Sequence, residues 1–126
     1  MHLQIWADLK DYRWWTSCDV AAEADSPSRR TFFCHVNRAY ADNTTTGEYS
    51  TPQIIVTSAD WHTARIEIDP DTFKLRFYLD GTLIGSRVPL DAEQLKQTLL
   101  TPQAGIWTEG NTTILAEVDT FVIGAR

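Results

Sequence analysis

The sequence predicts an all-β sandwich with one short helix at about residues 91–100. Three observations carry that prediction. The segments between turn signals are short and rich in Ile, Val, Thr and aromatic residues, which favours strands. Residues Trp61 to Val88 alternate apolar and polar side chains around an Asp80-Gly81 dipeptide. Such a dipeptide suits a two-residue hairpin loop, because a type I′ turn needs positive φ at both central positions. Helical spacing is visible only in Leu90 to Leu100, where Leu95 and Leu99 share a face, Asp91 can cap and Pro102 follows.

Taken in order, the strands expected first are His2–Leu9, Tyr12–Val20, Thr31–Arg38 and Tyr49–Thr57. The Ala24–Ser28 and Ala41–Gly47 stretches are loops between them, too short to part domains. Within Trp61–Val88 the apolar positions fix a register. Pairing Ile68 with Phe73 sets Ile66 against Leu75 and Ala64 against Phe77; pairing Leu79 with Thr82 sets Phe77 against Ile84 and Phe73 against Val88. All then fall on one face, so a three-stranded meander with one buried side is expected. Gly105–Thr108 and Ile114–Ile123 are the last two strands expected, with Glu109-Gly110-Asn111 turning between them. Nine short strands in 126 residues make a single domain.

Composition excludes several function classes. The chain carries 11 Lys and Arg against 17 Asp and Glu, a net charge of −6, so a global electrostatic grip on nucleic acid or an anionic membrane is not expected. No apolar run approaches the ~20 residues of a membrane span. The first residues have no basic n-region and no signal-peptide core. Two cysteines exclude a disulfide-framework miniprotein and an all-cysteine zinc site. A hairpin centred near Ser26-Pro27 sets Cys18 opposite Cys34, leaving two alternatives: a disulfide, which needs an oxidising compartment, or a pair of buried thiols.

Trp61–Asp69, then Leu75-Arg76-Phe77-Tyr78-Leu79-Asp80-Gly81 and Leu83-Ile84-Gly85-Ser86, form a Trp-led strand, a strand ending in aromatic-x-Asp-Gly and a short Gly-Ser strand. With Gly105–Gly110 and Val118–Ile123, this pattern resembles the concanavalin A-like lectin/glucanase superfamily, and most of all its laminin G-like jelly-roll modules. The resemblance covers about residues 61–123. It implies an antiparallel jelly-roll β-sandwich, and a chain whose opening strands look truncated, as in a domain excised from a larger secreted or cell-surface protein. The superfamily contains glucanases, lectins and adhesive modules, so the fold alone does not choose among them.

Candidate site residues follow from the same alternation. Trp6 falls on the polar side of the first strand, while adjacent Trp14 and Trp15 point to opposite faces. Trp6 with one of Trp14 and Trp15, and Tyr12, is the first candidate glycan platform, because indole faces stack on the apolar face of a pyranose. Arg65, Glu67, Arg76 and Tyr78, on the polar side of the meander, form a second; a solvated outer face with Glu67 bridging the cations is the alternative. Glu117-Val118-Asp119 places two carboxylates on one face of a strand, but Val122 stands where laminarinase-like members carry a further Glu, so half of a retaining glycosidase is missing. Asp119 is a candidate ligand for a structural calcium, which the resemblance allows; no other cofactor is expected.

These readings favour a non-catalytic carbohydrate-binding or adhesion module. The alternatives are a glucanase-type glycoside hydrolase with an unrecognised carboxylate pair and an architectural β-sandwich with no sugar ligand. The long apolar segment Ile114–Ile123 is an unprotected sheet edge in sequence terms, with two alternatives: His2–Leu9 folds back and closes the sheet within one chain, or a homodimer forms through that edge.

Overall fold

The computed structural model describes residues 2–23, 26–57 and 61–105. In chain order these form β1 (His2–Asp8), β2 (Tyr12–Glu23), β3 (Ser26–Tyr40), β4 (Thr45–Ser50), β5 (Ile54–Thr57), β6 (Ala64–Ile68), β7 (Leu75–Leu79), β8 (Thr82–Arg87), the four-residue helix α1 (Ala92–Leu95) and β9 (Thr101–Gly105). The protein is all-β, with two antiparallel sheets. The larger has the order β4-β3-β2-β1-β9, with β5 also pairing β3; the smaller has the order β6-β7-β8.

Period-two alternation explains why the sheets face each other. In the larger sheet Ala7, Trp14, Thr16, Cys18, Phe32 and Val36 are buried. They lie opposite one another in the ladders, so they share one face. In the smaller sheet Leu75, Phe77 and Leu79 are buried and the intervening Arg76 and Tyr78 are not. The two inner faces meet in one apolar cluster. Trp14 packs edge-on against Phe73 with ring centroids 5.9 Å apart, and Tyr49 stacks on Phe77 at 6.0 Å. Each fully buried side chain of this size contributes about 1.5–3 kcal/mol. Gly85 lets the layers approach: a Cβ there would lie 2.5 Å from Tyr49 Oη and 2.8 Å from Thr51 Cγ2.

The Asp80-Gly81 loop has φ of +50° and +78°, and Leu79 pairs with Thr82 as a two-residue I′ hairpin requires. Beyond it a bulge sets Phe77 opposite Gly85 and not Ile84, and Phe73 lies before β7 and pairs with no residue of β8; the other meander turn differs from expectation as well. Ile68 pairs with Leu75 and not Phe73, so Glu67 faces Arg76 and Arg65 faces Tyr78. The cause is a longer loop. Asp69 Oδ1 accepts from the Asp71 and Thr72 amides, both at 3.0 Å, and Phe73 takes φ +55° to turn its buried ring into the core. The shift is by two residues, so the apolar face is preserved.

Other boundaries differ for local reasons. The strand expected over Tyr49–Thr57 is two strands: the Thr51 amide still donates to the Cys34 carbonyl at 2.8 Å, but its hydroxyl takes the place of its carbonyl in accepting from the Cys34 amide at 2.9 Å, and Pro52 has no N–H to continue pairing. The helix expected over 91–100 stops at Leu95. Asp91 makes no side-chain cap, and Thr98 Oγ1 donates to the Gln94 carbonyl at 2.8 Å. Leu95 is therefore buried, but Leu99 is 86% exposed. Strand β9 begins at Thr101, four residues before the strand expected from Gly105, although Pro102 disfavours strands; it pairs β1 alone among the described residues, where proline is tolerated at an edge. Of the strand expected at Gly105–Thr108 only Gly105 is among the described residues; the strand expected at Ile114–Ile123, with the edge proposed for dimerisation, lies outside them.

Candidate functional site

The outer face of the larger sheet carries two rows of side chains that cross its strands. Trp6 lies directly opposite Trp15, and their neighbours across the ladder are Thr101, Asn37 and Gly47. One step along, Gln4 lies opposite Ser17, with Gln103, His35 and Ser50 completing the second row. Trp6 and Trp15 are both half-buried. The Arg13 guanidinium sits 4.3 Å from the Trp6 ring centroid and binds Asp8 at 2.7 Å. That bond, more than the charge alone, holds the Asp8 carboxyl below the usual range. A shallow depression lined by His35, Asn37, Gly47, Glu48, Tyr49 and Ser50 lies at the β3–β4 end of the rows.

At the centre of the second row Ser17, Asp19 and His35 bond one another. Ser17 Oγ donates to Asp19 Oδ2 at 2.8 Å and lies 2.6 Å from His35 Nε2, which is itself 3.4 Å from Asp19 Oδ2. With the serine proton committed to Asp19, His35 Nε2 carries the hydrogen. Burial lowers the imidazole pKa, and the Asp19 carboxylate offsets this only in part, so the ring is neutral near pH 7. The trio is not a hydrolytic triad. A triad carboxylate takes the imidazole nitrogen remote from the serine, whereas Asp19 approaches the same nitrogen. Ser17 is also only 4% exposed. This cluster was missed in the sequence, although the register that pairs Cys18 with Cys34 necessarily pairs Ser17 with His35.

Two members of the first candidate platform lie elsewhere. Trp14 is fully buried and packs on Phe73, so its indole belongs to the core and offers no stacking surface. Tyr12 shares the inner face with Trp14 and joins an ionic network. Its centre is Arg38, whose Nε donates to Asp91 Oδ2 and Nη2 to Glu48 Oε2, both at 2.8 Å. Glu48 Oε1 accepts from Arg87 Nε at 3.1 Å and from the Leu90 amide at 3.0 Å. Burial opposes the Arg38 charge, but Asp91 and Glu48 more than compensate and raise its pKa. Burial and the bond to Asp91 raise that of Tyr12. A β-bulge makes this possible: the β3–β4 register skips Glu48 between Tyr49 and Gly47, turning its carboxylate inward. The network joins β2, β3 and β4 to the end of β8 and the start of α1, and it is structural.

The second candidate platform is assembled on the outer face of the smaller sheet, but its groups engage one another. The Arg65 guanidinium covers the Tyr78 ring at 4.1 Å and lies 3.4 Å from Glu67, to which the Tyr78 hydroxyl donates at 3.0 Å. Arg76 reaches Asp69 at 3.8 Å. The one ring face that a sugar would need here is occupied by Arg65. Cys18 and Cys34 form a disulfide between directly opposed residues of β2 and β3. His62 Nδ1 bonds Asp80 Oδ2 at 2.8 Å and lowers the Asp80 pKa.

Glu117 and Asp119 lie outside the described residues. Among the described residues no group of three or more His, Cys, Asp or Glu side chains is arranged to hold a metal ion, so no role is derived for calcium. Nor, among these residues, is any helix long and apolar enough to cross a membrane. In comparisons with known proteins, no family model, curated protein or solved structure matches the chain.

Proposed function

We propose that this chain is a non-catalytic carbohydrate-binding module with a laminin G-like jelly-roll fold, acting at the cell surface or in secretions as part of a larger protein. The observation that carries the reading is the directly opposed Trp6–Trp15 pair, bordered by the uncharged Gln4, Thr101 and Asn37; Arg13 covers one face of Trp6, so Trp15 offers the more open ring and a sugar reaching Trp6 meets Arg13 as well. Stacking on a pyranose uses the large, low-entropy area of indole, and the flanking amides and hydroxyls match sugar hydroxyls as donors and acceptors. The disulfide supports an oxidising compartment. The Ser17–Asp19–His35 geometry speaks against hydrolysis at this face.

Affinity electrophoresis of the chain through gels holding soluble β-glucan, xylan or mannan tests it. Retardation by at least one polysaccharide is expected, with binding weakened about tenfold or more in a Trp6→Ala/Trp15→Ala variant that keeps its fold by circular dichroism. Arg65→Ala leaves it unchanged. Migration unaffected by every polysaccharide, or equal retardation of parent and double variant, contradicts the proposal.

A further inference from the structure

We infer that the ligand is a linear, uncharged glycan bound along its length across the strands, with roughly four sugar units in contact, as set by the ~4.8 Å strand spacing. The inference rests on the carbohydrate-binding reading above and adds the ligand's charge, shape and direction.

The direction follows from the register. The row Gln103–Gln4–Ser17–His35–Ser50 places one polar residue on each of β9, β1, β2, β3 and β4. Its length is four inter-strand steps, or roughly 19 Å. An extended hexose chain advances by about one strand spacing per sugar, so successive sugars meet successive strands. The aromatic row runs alongside, with its indoles on neighbouring strands. Two successive sugars therefore lie over the indoles and those on either side are held by hydrogen bonds.

The charge follows from what the rows lack. Neither row holds a formally charged side chain while His35 is neutral. Of the charges beside them, Arg13 is matched by Asp8, while Asp19 stays an anion held by Ser17. A uronate gains no counter-charge here, whereas Gln4 and Gln103 can both donate to and accept from a hydroxyl and Ser50, which donates to the Thr51 carbonyl, can accept; Ser17 is buried and only backs the row. The shape follows from the relief. The depressions at this face, one at the β3–β4 end of the rows and one lined by Asp8, Arg13 and Ala39 among others, are shallow, so the face suits a chain segment better than a chain end.

Calorimetric titration of the full chain with neutral gluco-, xylo- and manno-oligosaccharides of one to six units, and with oligogalacturonates, tests this. For at least one neutral series, affinity should rise about tenfold from disaccharide to tetrasaccharide and then level off, the worth of one or two added hydrogen bonds. Gln4→Ala and Ser50→Ala should remove most of that rise and leave disaccharide binding within about twofold. Equal affinity for one and six units, or preference for the oligogalacturonates, overturns the inference while leaving carbohydrate binding standing. No binding by any saccharide, with no polysaccharide retardation, overturns both.

Discussion

Replacing Glu48 by Ala tests whether the buried network holds the two sheets together. The Glu48 side chain is 2% exposed, and its loss leaves three donors to be satisfied: Arg38, Arg87 and the Leu90 amide. They do not suffer equally. Arg87 is 37% exposed and regains water, while Arg38 is 10% exposed but keeps its bonds to Asp91 at 2.7–2.8 Å. Breaking a buried ion pair from one side costs about 3–5 kcal/mol, and these two reliefs place Glu48→Ala near 3 kcal/mol. For a domain of this size that lowers the Tm by about 10–15 °C. In urea, with m near 1.5 kcal/mol/M, the midpoint falls by about 2 M. Glu48→Gln, which keeps the acceptor for Leu90, should lose about half as much. Arg38→Met with Glu48→Leu should recover little, because Asp91, 16% exposed, then loses the guanidinium that binds it. A Tm change within about 2 °C for Glu48→Ala would refute the argument.

Three further outcomes follow from the same structure. Reducing the Cys18–Cys34 disulfide, with its sequence separation of 16, should cost about 3 kcal/mol through unfolded-state loop entropy, visible as a lower urea midpoint with dithiothreitol and absent in a Cys18→Ala/Cys34→Ala variant. Burial depresses the His35 pKa, so the unfolded chain, with a histidine near 6.5, binds the proton first; stability is full above about pH 6.5 and declines as pH falls below it. Urea midpoints at pH 7.5 and 5.5 check this, and His35→Gln should flatten the difference. Gly85→Ala should destabilise by about 1–3 kcal/mol through overpacking against Tyr49 and Thr51, measured by thermal melting, and Tyr49→Phe in the same chain should relieve part of it.

What the sequence discloses here is whatever rests on parity. Alternation alone puts Leu75, Phe77 and Leu79 inside, gives Asp80-Gly81 its turn, and sets Cys18 opposite Cys34. What depends on an inserted residue stays hidden. The bulge at Glu48 reverses the side to which that carboxylate points, and the bulge at Ile84 lets both Ile84 and Gly85 lie toward the core. Neither has a compositional mark, because a bulge needs one extra residue of almost any kind. The Asp69–Lys74 loop hid for a related reason: it holds Phe73 at φ +55°, a conformation that bulky residues rarely adopt, and burial of the ring offsets the cost. Of the candidate platform, Trp6 and Trp15 are brought together, while Trp14 and Tyr12 turn to the core side. Adjacent tryptophans announce that they face apart, but which one is buried is decided by its partners across the sheet. Trp14 aligns with Ala7 and Arg38, and Trp15 with Trp6 and Asn37.

The central claim, that the outer face of the larger sheet binds neutral glycan through its indoles, is tested most directly by the indole N–H signals in a heteronuclear NMR titration. The chain has five tryptophans, and Trp14, fully buried on the opposite face, is an internal control. On addition of β-1,4- or β-1,3-linked glucose, xylose or mannose tetramers, the Trp6 and Trp15 signals should move together, in proportion to occupancy, while Trp14 stays still. Stationary Trp6 and Trp15 signals with every tetramer, or a response confined to Trp61, would contradict it.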